Sequence, residues 1–144
     1  AETTEPRPAA LAERSLASRA PADFADTAAA QVVTAPNRSI RWRFAAGAAI
    51  ERSTDGGASW VIQLADPSAQ LTDGFAPSDS VCWLVGLSGA VFRTTDGVTW
   101  ERLPAPATAD LVRIVAEDAF TAIVTTADGT AYRTTDGGQT WLPQ

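Results

Sequence analysis

Arg133-Thr134-Thr135-Asp136-Gly137-Gly138-Gln139-Thr140-Trp141 decides the fold, because the same layout stands earlier in the chain as Arg52-Ser53-Thr54-Asp55-Gly56-Gly57-Ala58-Ser59-Trp60. Between them lies a shorter version, Arg93-Thr94-Thr95-Asp96-Gly97-Val98-Thr99-Trp100, with one residue fewer before its Trp and no second Gly. Thr-Asp-Gly-Gly between two strands is a hairpin signal. Gly takes positive φ without steric penalty, and Asp accepts hydrogen bonds from backbone N–H groups of its own turn. The Trp that follows is expected to fold its indole back over the loop, burying roughly 150–250 Å² and shielding those bonds from water.

Working outward, Asp55, Asp96 and Asp136 are 41 and then 40 residues apart, close to the length of one four-stranded propeller blade. The likeness extends upstream. Ile50, Val91 and Ala131 stand five residues before each Asp, and Trp42, Trp83 and Ile123 stand thirteen before it. Each unit therefore divides into four strands, as in Val112–Val115, Ala122–Thr125, Thr130–Thr134 and a fourth beginning at Trp141. The first unit has three clear strands, and Gln31–Thr34, just before Pro36, supplies its first. The fold predicted is all-β: three four-stranded propeller-type blades, either an incomplete ring or one completed by oligomerisation. Residues 31–144 are assigned to this domain. Residues 1–30, rich in Ala, Pro and Arg, read as a flexible linker in which Leu11–Arg19 offers only two leucines to hold a short helix.

The repeated residues resemble the Asp-box, or BNR, repeat, Ser/Thr-x-Asp-x-Gly-x-x-Trp, found in sialidases, in the sortilin propeller and in the photosystem II stability and assembly factor family. The first and third copies match it fully, and the resemblance spans residues 38–144. It implies that Asp55, Asp96 and Asp136 lie on turns between third and fourth strands, on the rim away from the usual ligand face, and support structure. A second resemblance is to the extracytoplasmic C-terminal part of bacterial membrane-anchored zinc-finger anti-sigma factors, in which an Ala/Pro/Arg-rich linker precedes a few such units. The family's zinc motif and membrane helix are not in this sequence, so only the sensor-like half carries over. The assembly factor family implies a rival role, chaperoning a membrane protein complex. The sialidases imply a glycosidase, which needs an Arg cluster, a Tyr nucleophile and a carboxylate partner. The single tyrosine, Tyr132, occupies a strand position filled by Glu51 and Phe92 in the other units, so it reads as a blade residue.

Composition narrows the chemistry further. The sequence has no His and one Cys, Cys82, which excludes an intrachain disulfide, a Cys/His zinc site and a His-based triad within it. Cys82 stands in the apolar run Ser80–Val85 and reads as an inert core residue. One Asp per turn, with turns a blade apart, does not supply the six to eight oxygens that calcium takes. The net charge is −6, every basic residue is Arg, and Arg38, Arg41 and Arg43 form the only local cluster, read as solvated strand charge, so nucleic acid is not an expected partner. No run approaches the roughly 18 apolar residues of a membrane helix. The initial Ala1 and the absence of Met suggest a processed or truncated piece.

The expectation is therefore a non-catalytic binding or sensor module with no catalytic, cofactor or metal residues, acting outside the cytoplasm in the periplasm or at the cell surface. Its partner is expected to be a protein or peptide, held by the loops opposite the repeated turns: Ala45–Ala48, Leu64–Gln70, Leu87–Gly89, Leu103–Asp110 and Ala127–Gly129. Three blades leave open sheet faces and edges, which a homodimer of three plus three blades, or the N-terminal segment folded over an edge, would cover.

Overall fold

The computed structural model describes residues 30–45, 49–65 and 68–144. The linker and short helix expected before residue 30 lie outside the described residues. Among the described residues twelve strands follow in chain order and form three antiparallel sheets of four. The first sheet holds β1 (Gln31–Thr34), β2 (Arg41–Phe44), β3 (Ile50–Ser53) and β4 (Val61–Leu64). The second holds β5 (Leu71–Phe75), β6 (Cys82–Gly86), β7 (Val91–Thr94) and β8 (Trp100–Arg102). The third holds β9 (Leu111–Ala116), β10 (Ala122–Thr126), β11 (Ala131–Thr134) and β12 (Leu142–Pro143). Gln31–Thr34 is indeed the first strand of the first blade. The one addition among the described residues is a short 3₁₀ turn at Leu87–Gly89, where a loop was expected.

The three sheets are built in the same register, as repeated sequence requires. The cross-strand rows Val33–Trp42–Arg52–Val61, Phe75–Trp83–Arg93–Glu101 and Val115–Ile123–Arg133–Leu142 occupy equivalent places. Partners directly opposite in a ladder share one face of a sheet, so each row marks the face that a blade turns toward the next blade along the chain. The opposite faces carry Val32–Arg43–Glu51–Ile62, Gly74–Leu84–Phe92–Arg102 and Ile114–Val124–Tyr132–Pro143.

The core lies between blades. Trp42, Phe44 and Ile50 of the first blade pack with Cys82, Leu84 and Phe92 of the second. Trp83, Val85 and Val91 of the second pack with Leu111, Ile114 and Val124 of the third, and Tyr132 and Trp141 lie against them. Each such side chain taken fully out of water contributes roughly 1.5–3 kcal/mol. This is why a strand such as Cys82–Gly86, covered on both faces, reads as a continuous apolar run and is buried throughout. Cys82 is fully buried, and burial pushes its thiol well above the usual range, which makes it a packing residue.

The first strands of successive blades lie side by side. Gln31 Nε2 donates to the Thr72 carbonyl at 2.8 Å, the Thr72 hydroxyl reaches the Leu111 carbonyl at 2.6 Å, and the Asp73 carboxylate accepts the Ile114 N–H at 3.0 Å. Ladder irregularities at Leu71/Asp73 and Leu111/Arg113 accompany these contacts. An extra residue of this kind re-aims the strand and frees side chains for the neighbouring sheet.

Candidate functional site

The repeated turns sit between β3 and β4, β7 and β8, and β11 and β12. In the first, Asp55 Oδ1 accepts from the Ser53 hydroxyl at 2.7 Å and the Ser59 N–H at 2.9 Å, and Oδ2 accepts from the Ser59 hydroxyl. Asp136 repeats this with the Thr134 hydroxyl at 2.8 Å, the Thr140 N–H at 2.9 Å and the Thr140 hydroxyl. Asp96, in the shorter turn, takes the Thr99 N–H at 2.7 Å, the Val98 N–H at 2.9 Å and the Thr94 hydroxyl at 3.1 Å. Donors aimed at a carboxylate favour its charged form. The Ser59 hydroxyl first lowers Asp55 to about 2, the Thr99 N–H lowers Asp96 to about 2, and the Thr140 hydroxyl lowers Asp136 to about 2. Asp128 in the Thr126–Thr130 turn is lowered in the same manner, mainly by the Thr126 hydroxyl. These carboxylates organise their own loops.

The tryptophans depart from expectation. Only Trp60 turns back on its own turn, with Nε1 donating to the Gly57 carbonyl at 3.1 Å. Trp100 Nε1 donates instead to Gln63 Oε1 of the preceding blade at 2.8 Å, and Trp141 Nε1 to the Pro104 carbonyl of the preceding blade at 3.0 Å. Trp141 also meets Trp83 edge to face, with ring centroids 6.3 Å apart. A ring held by a neighbouring sheet contributes to the joint between blades.

The Arg that opens each repeat completes that joint. Arg52 lies over the Trp42 ring at 5.3 Å and Arg93 over Trp83 at 5.6 Å, within the range of cation–π attraction. Each then donates into the blade that follows, Arg52 to the Asp79 carbonyl at 3.2 Å and Arg93 to the Ala119 carbonyl at 2.7 Å. Sequence reading placed these arginines in the motif but gave them no role. It also missed Gln63, whose Nε2 donates to the Gly97 carbonyl at 2.7 Å while its Oε1 holds Trp100. Within the Arg38, Arg41 and Arg43 cluster, Arg41 Nε donates to the Arg38 carbonyl at 2.9 Å, and Arg43 pairs with Glu51 and lies 4.4 Å over Trp60.

The described parts of the loops named as binding candidates lie on the rim opposite the Asp turns. The Leu87 N–H donates to the Gln70 carbonyl at 2.9 Å, joining the Leu64–Gln70 and Leu87–Gly89 segments. Asp110, at the end of Leu103–Asp110, ties that loop to Leu87–Gly89 and Ala127–Gly129: its carboxylate accepts the Ser88 N–H at 2.8 Å and its carbonyl the Ala127 N–H at 2.9 Å. Ser88 is exposed and held at φ +59°, a conformation uncommon for a residue with a side chain, and the Asp110 bond supports it. Gly89 is fixed by close approach, since a Cβ there would stand 2.0 Å from the Ala107 carbonyl oxygen. Residues 46–48 of Ala45–Ala48 and 66–67 of Leu64–Gln70 lie outside the described residues. The result is a rim of short loops braced against one another, with Ala, Pro and Ser at its surface.

Four-stranded sheets stacked face to face, each closed by a carboxylate-organised Asp-box turn, define a β-propeller repeat protein. More particularly, the chain belongs to the family of the photosynthesis system II assembly factor YCF48, whose model matches residues 27–144. Among solved structures it is similar to YCF48 from Cyanidioschyzon merolae, with a TM-score of 0.66 and 19% identity over 78% of this chain and 35% of that one. It is also similar to a structure described as YCF48 bound to D1 peptide, with a TM-score of 0.61 and 22% identity over 83% of this chain and 45% of that one. The chain thus spans less than half the length of either neighbour. None of the curated proteins matches it.

Proposed function

We propose that this chain is a non-catalytic module that binds a segment of a partner protein, on the rim opposite the Asp-box turns, in the manner of an assembly factor for a membrane protein complex. Membership of the YCF48 family carries the reading, and a structural neighbour described as bound to D1 peptide supports it. The geometry agrees with a binding rather than a chemical role. The Asp-box carboxylates are engaged within their own turns, and Tyr132 packs between the second and third blades. The braced loops at Leu87–Gly89, Leu103–Asp110 and Ala127–Gly129 present a surface that a bound segment need not order first, which lowers the entropic cost of binding. The site of action proposed is outside the cytoplasm.

The direct test is a fluorescence anisotropy titration with labelled D1 peptide. Saturable binding is expected, weakened about tenfold or more by Thr108→Arg on the loop rim and unchanged by Val98→Arg on the Asp-box rim. A folded chain that shows no binding, or loses it only with Val98→Arg, would overturn the proposal. In that event the extracytoplasmic sensor of a bacterial membrane-anchored regulator becomes the better reading, supported by the Ala/Pro/Arg-rich residues 1–30 ahead of the repeats.

A further inference from the structure

The two joints within the stack show what a blade offers its successor and what it receives. On the giving side, Arg52 and Arg93 reach a carbonyl of the next blade and lie beneath its box glycine: a Cβ at Gly97 would stand 3.0 Å from the Arg52 guanidinium, and one at Gly137 2.5 Å from that of Arg93. Gln63 adds a two-pronged clamp on the next turn through Gly97 and Trp100. On the receiving side are the buried box glycine, the carbonyl four residues before the second-strand Trp or Ile (Asp79 or Ala119), and the box Trp.

The two ends of the stack carry the two halves of one more such joint. The third blade has the giving half. Arg133 occupies the place of Arg52 and Arg93 but among the described residues pairs with Glu117 alone, at 3.9 Å, while Gln144 follows Trp141 by three residues as Gln63 follows Trp60, and its amide rests at 3.3 Å on the carbonyls of its own Leu142 and Pro143. The first blade has the receiving half. Gly56 is exposed, with nothing within 4 Å of a Cβ placed on it. The Arg38 carbonyl, four residues before Trp42, is taken by Arg41 of the same blade, and Trp60 falls back on Gly57.

Polarity matches as well. The outward row of the third blade is apolar with one cation, Val115–Ile123–Arg133–Leu142. The outward row of the first blade, Val32–Arg43–Glu51–Ile62, has exposed Val32 and Ile62 flanking a carboxylate, where the inner blades place Leu84–Phe92 and Val124–Tyr132. A face with a partnered charge pair among valine and isoleucine fits the mixed character of an interface between separate chains better than the dry core of a joint inside one.

We propose that a second copy of this chain occupies these faces, the third blade of each copy packing on the first blade of the other. Arg133 of one copy lies over Gly56 of the other toward the Arg38 carbonyl, and Gln144 clamps Trp60. Such a contact is head to tail, and made twice by two copies it closes on itself. Six blades then form the ring, within the four to eight of closed propellers.

The test is solution molar mass by light scattering over a concentration series, using the 144-residue chain. A dimer of about 30 kDa, twice 15.0 kDa, is expected at high concentration. Arg133→Glu, which reverses the giving charge, and Gly56→Asn, which fills the receiving gap with the side chain that best tolerates positive φ, should each weaken it roughly tenfold or more. Both leave the inner joints intact, so circular dichroism should show both variants folded. To identify the faces directly, Ile62→Cys and Leu142→Cys in one chain should give a disulfide-linked dimer on oxidation, since the native Cys82 is buried. A mass of 15 kDa throughout, as expected if further blades of a longer chain normally cover the ends, would overturn the proposal. So would a 30 kDa species indifferent to both variants and not trapped by the cysteine pair.

Discussion

At the residue scale, the Asp-box carboxylates show how an exposed side chain becomes structural. Each lies at the surface yet is surrounded by donors from its own turn, which hold it charged to about pH 2, against about 3.9 for an unperturbed Asp. The sign of the resulting pH dependence follows. A carboxylate whose pKa is depressed on folding stabilises the fold above its unfolded value, and that contribution is lost as pH falls through the folded one. Melting temperature should therefore hold steady down to about pH 4.5 as far as these groups are concerned, and fall between about pH 4 and pH 2. Asp136→Asn should flatten that acid limb in a thermal melt series; an unaltered limb would show that the turn's bonds do not depend on the charge. The Asp, its bonds from backbone N–H groups of its own turn and its Gly were legible in sequence because they lie within five residues of one another, whereas the bonds from the hydroxyls of Ser53, Ser59, Thr134 and Thr140 were not read there. Asp110 was not, since its partners Ser88 and Ala127 are distant in sequence and nothing in Ala107-Thr108-Ala109-Asp110 marks it.

At the scale of the strand and the blade, the same side chain type has different worth according to what lies beyond it. Arg93 is 12% exposed, pairs with Glu101 at 2.6 Å, lies over Trp83 and donates to the third blade, whereas Arg133 is 39% exposed with one partner at 3.9 Å. In dilute chain, Arg93→Ala should cost about 1–3 kcal/mol in denaturant unfolding, and Arg133→Ala less than about 0.5 kcal/mol. Equal losses would mean that the bridge from Arg93 to Ala119 contributes nothing. The strands themselves were readable from the 40-residue period, with ends shifted by a residue or two. What the period did not reveal was direction: Trp100 and Trp141 hold the preceding blade, while Trp60, which no described blade precedes, turns back on its own loop as local chemistry suggests. Gln63 escaped notice for a related reason, since the middle repeat has Pro104 at the corresponding distance from its Asp and supplies a backbone carbonyl instead.

At the scale of the whole molecule, the described blades divide their labour between two rims. The Asp-box rim is fixed by local turn chemistry, and the opposite rim brings together loops from different blades. The family and the propeller blades were accessible from three copies of one motif. The binding rim was accessible only as a list of bland segments, because its order comes from contacts such as Leu87 to Gln70 and Ser88 to Asp110. The assignment of binding to this rim is tested most directly by hydrogen exchange with and without D1 peptide, read segment by segment. Protection is predicted in 87–90, 103–110 and 126–130, with none in the Asp-box turns at 54–60, 95–100 and 135–141. Protection confined to the Asp-box turns, or absent everywhere, would contradict it.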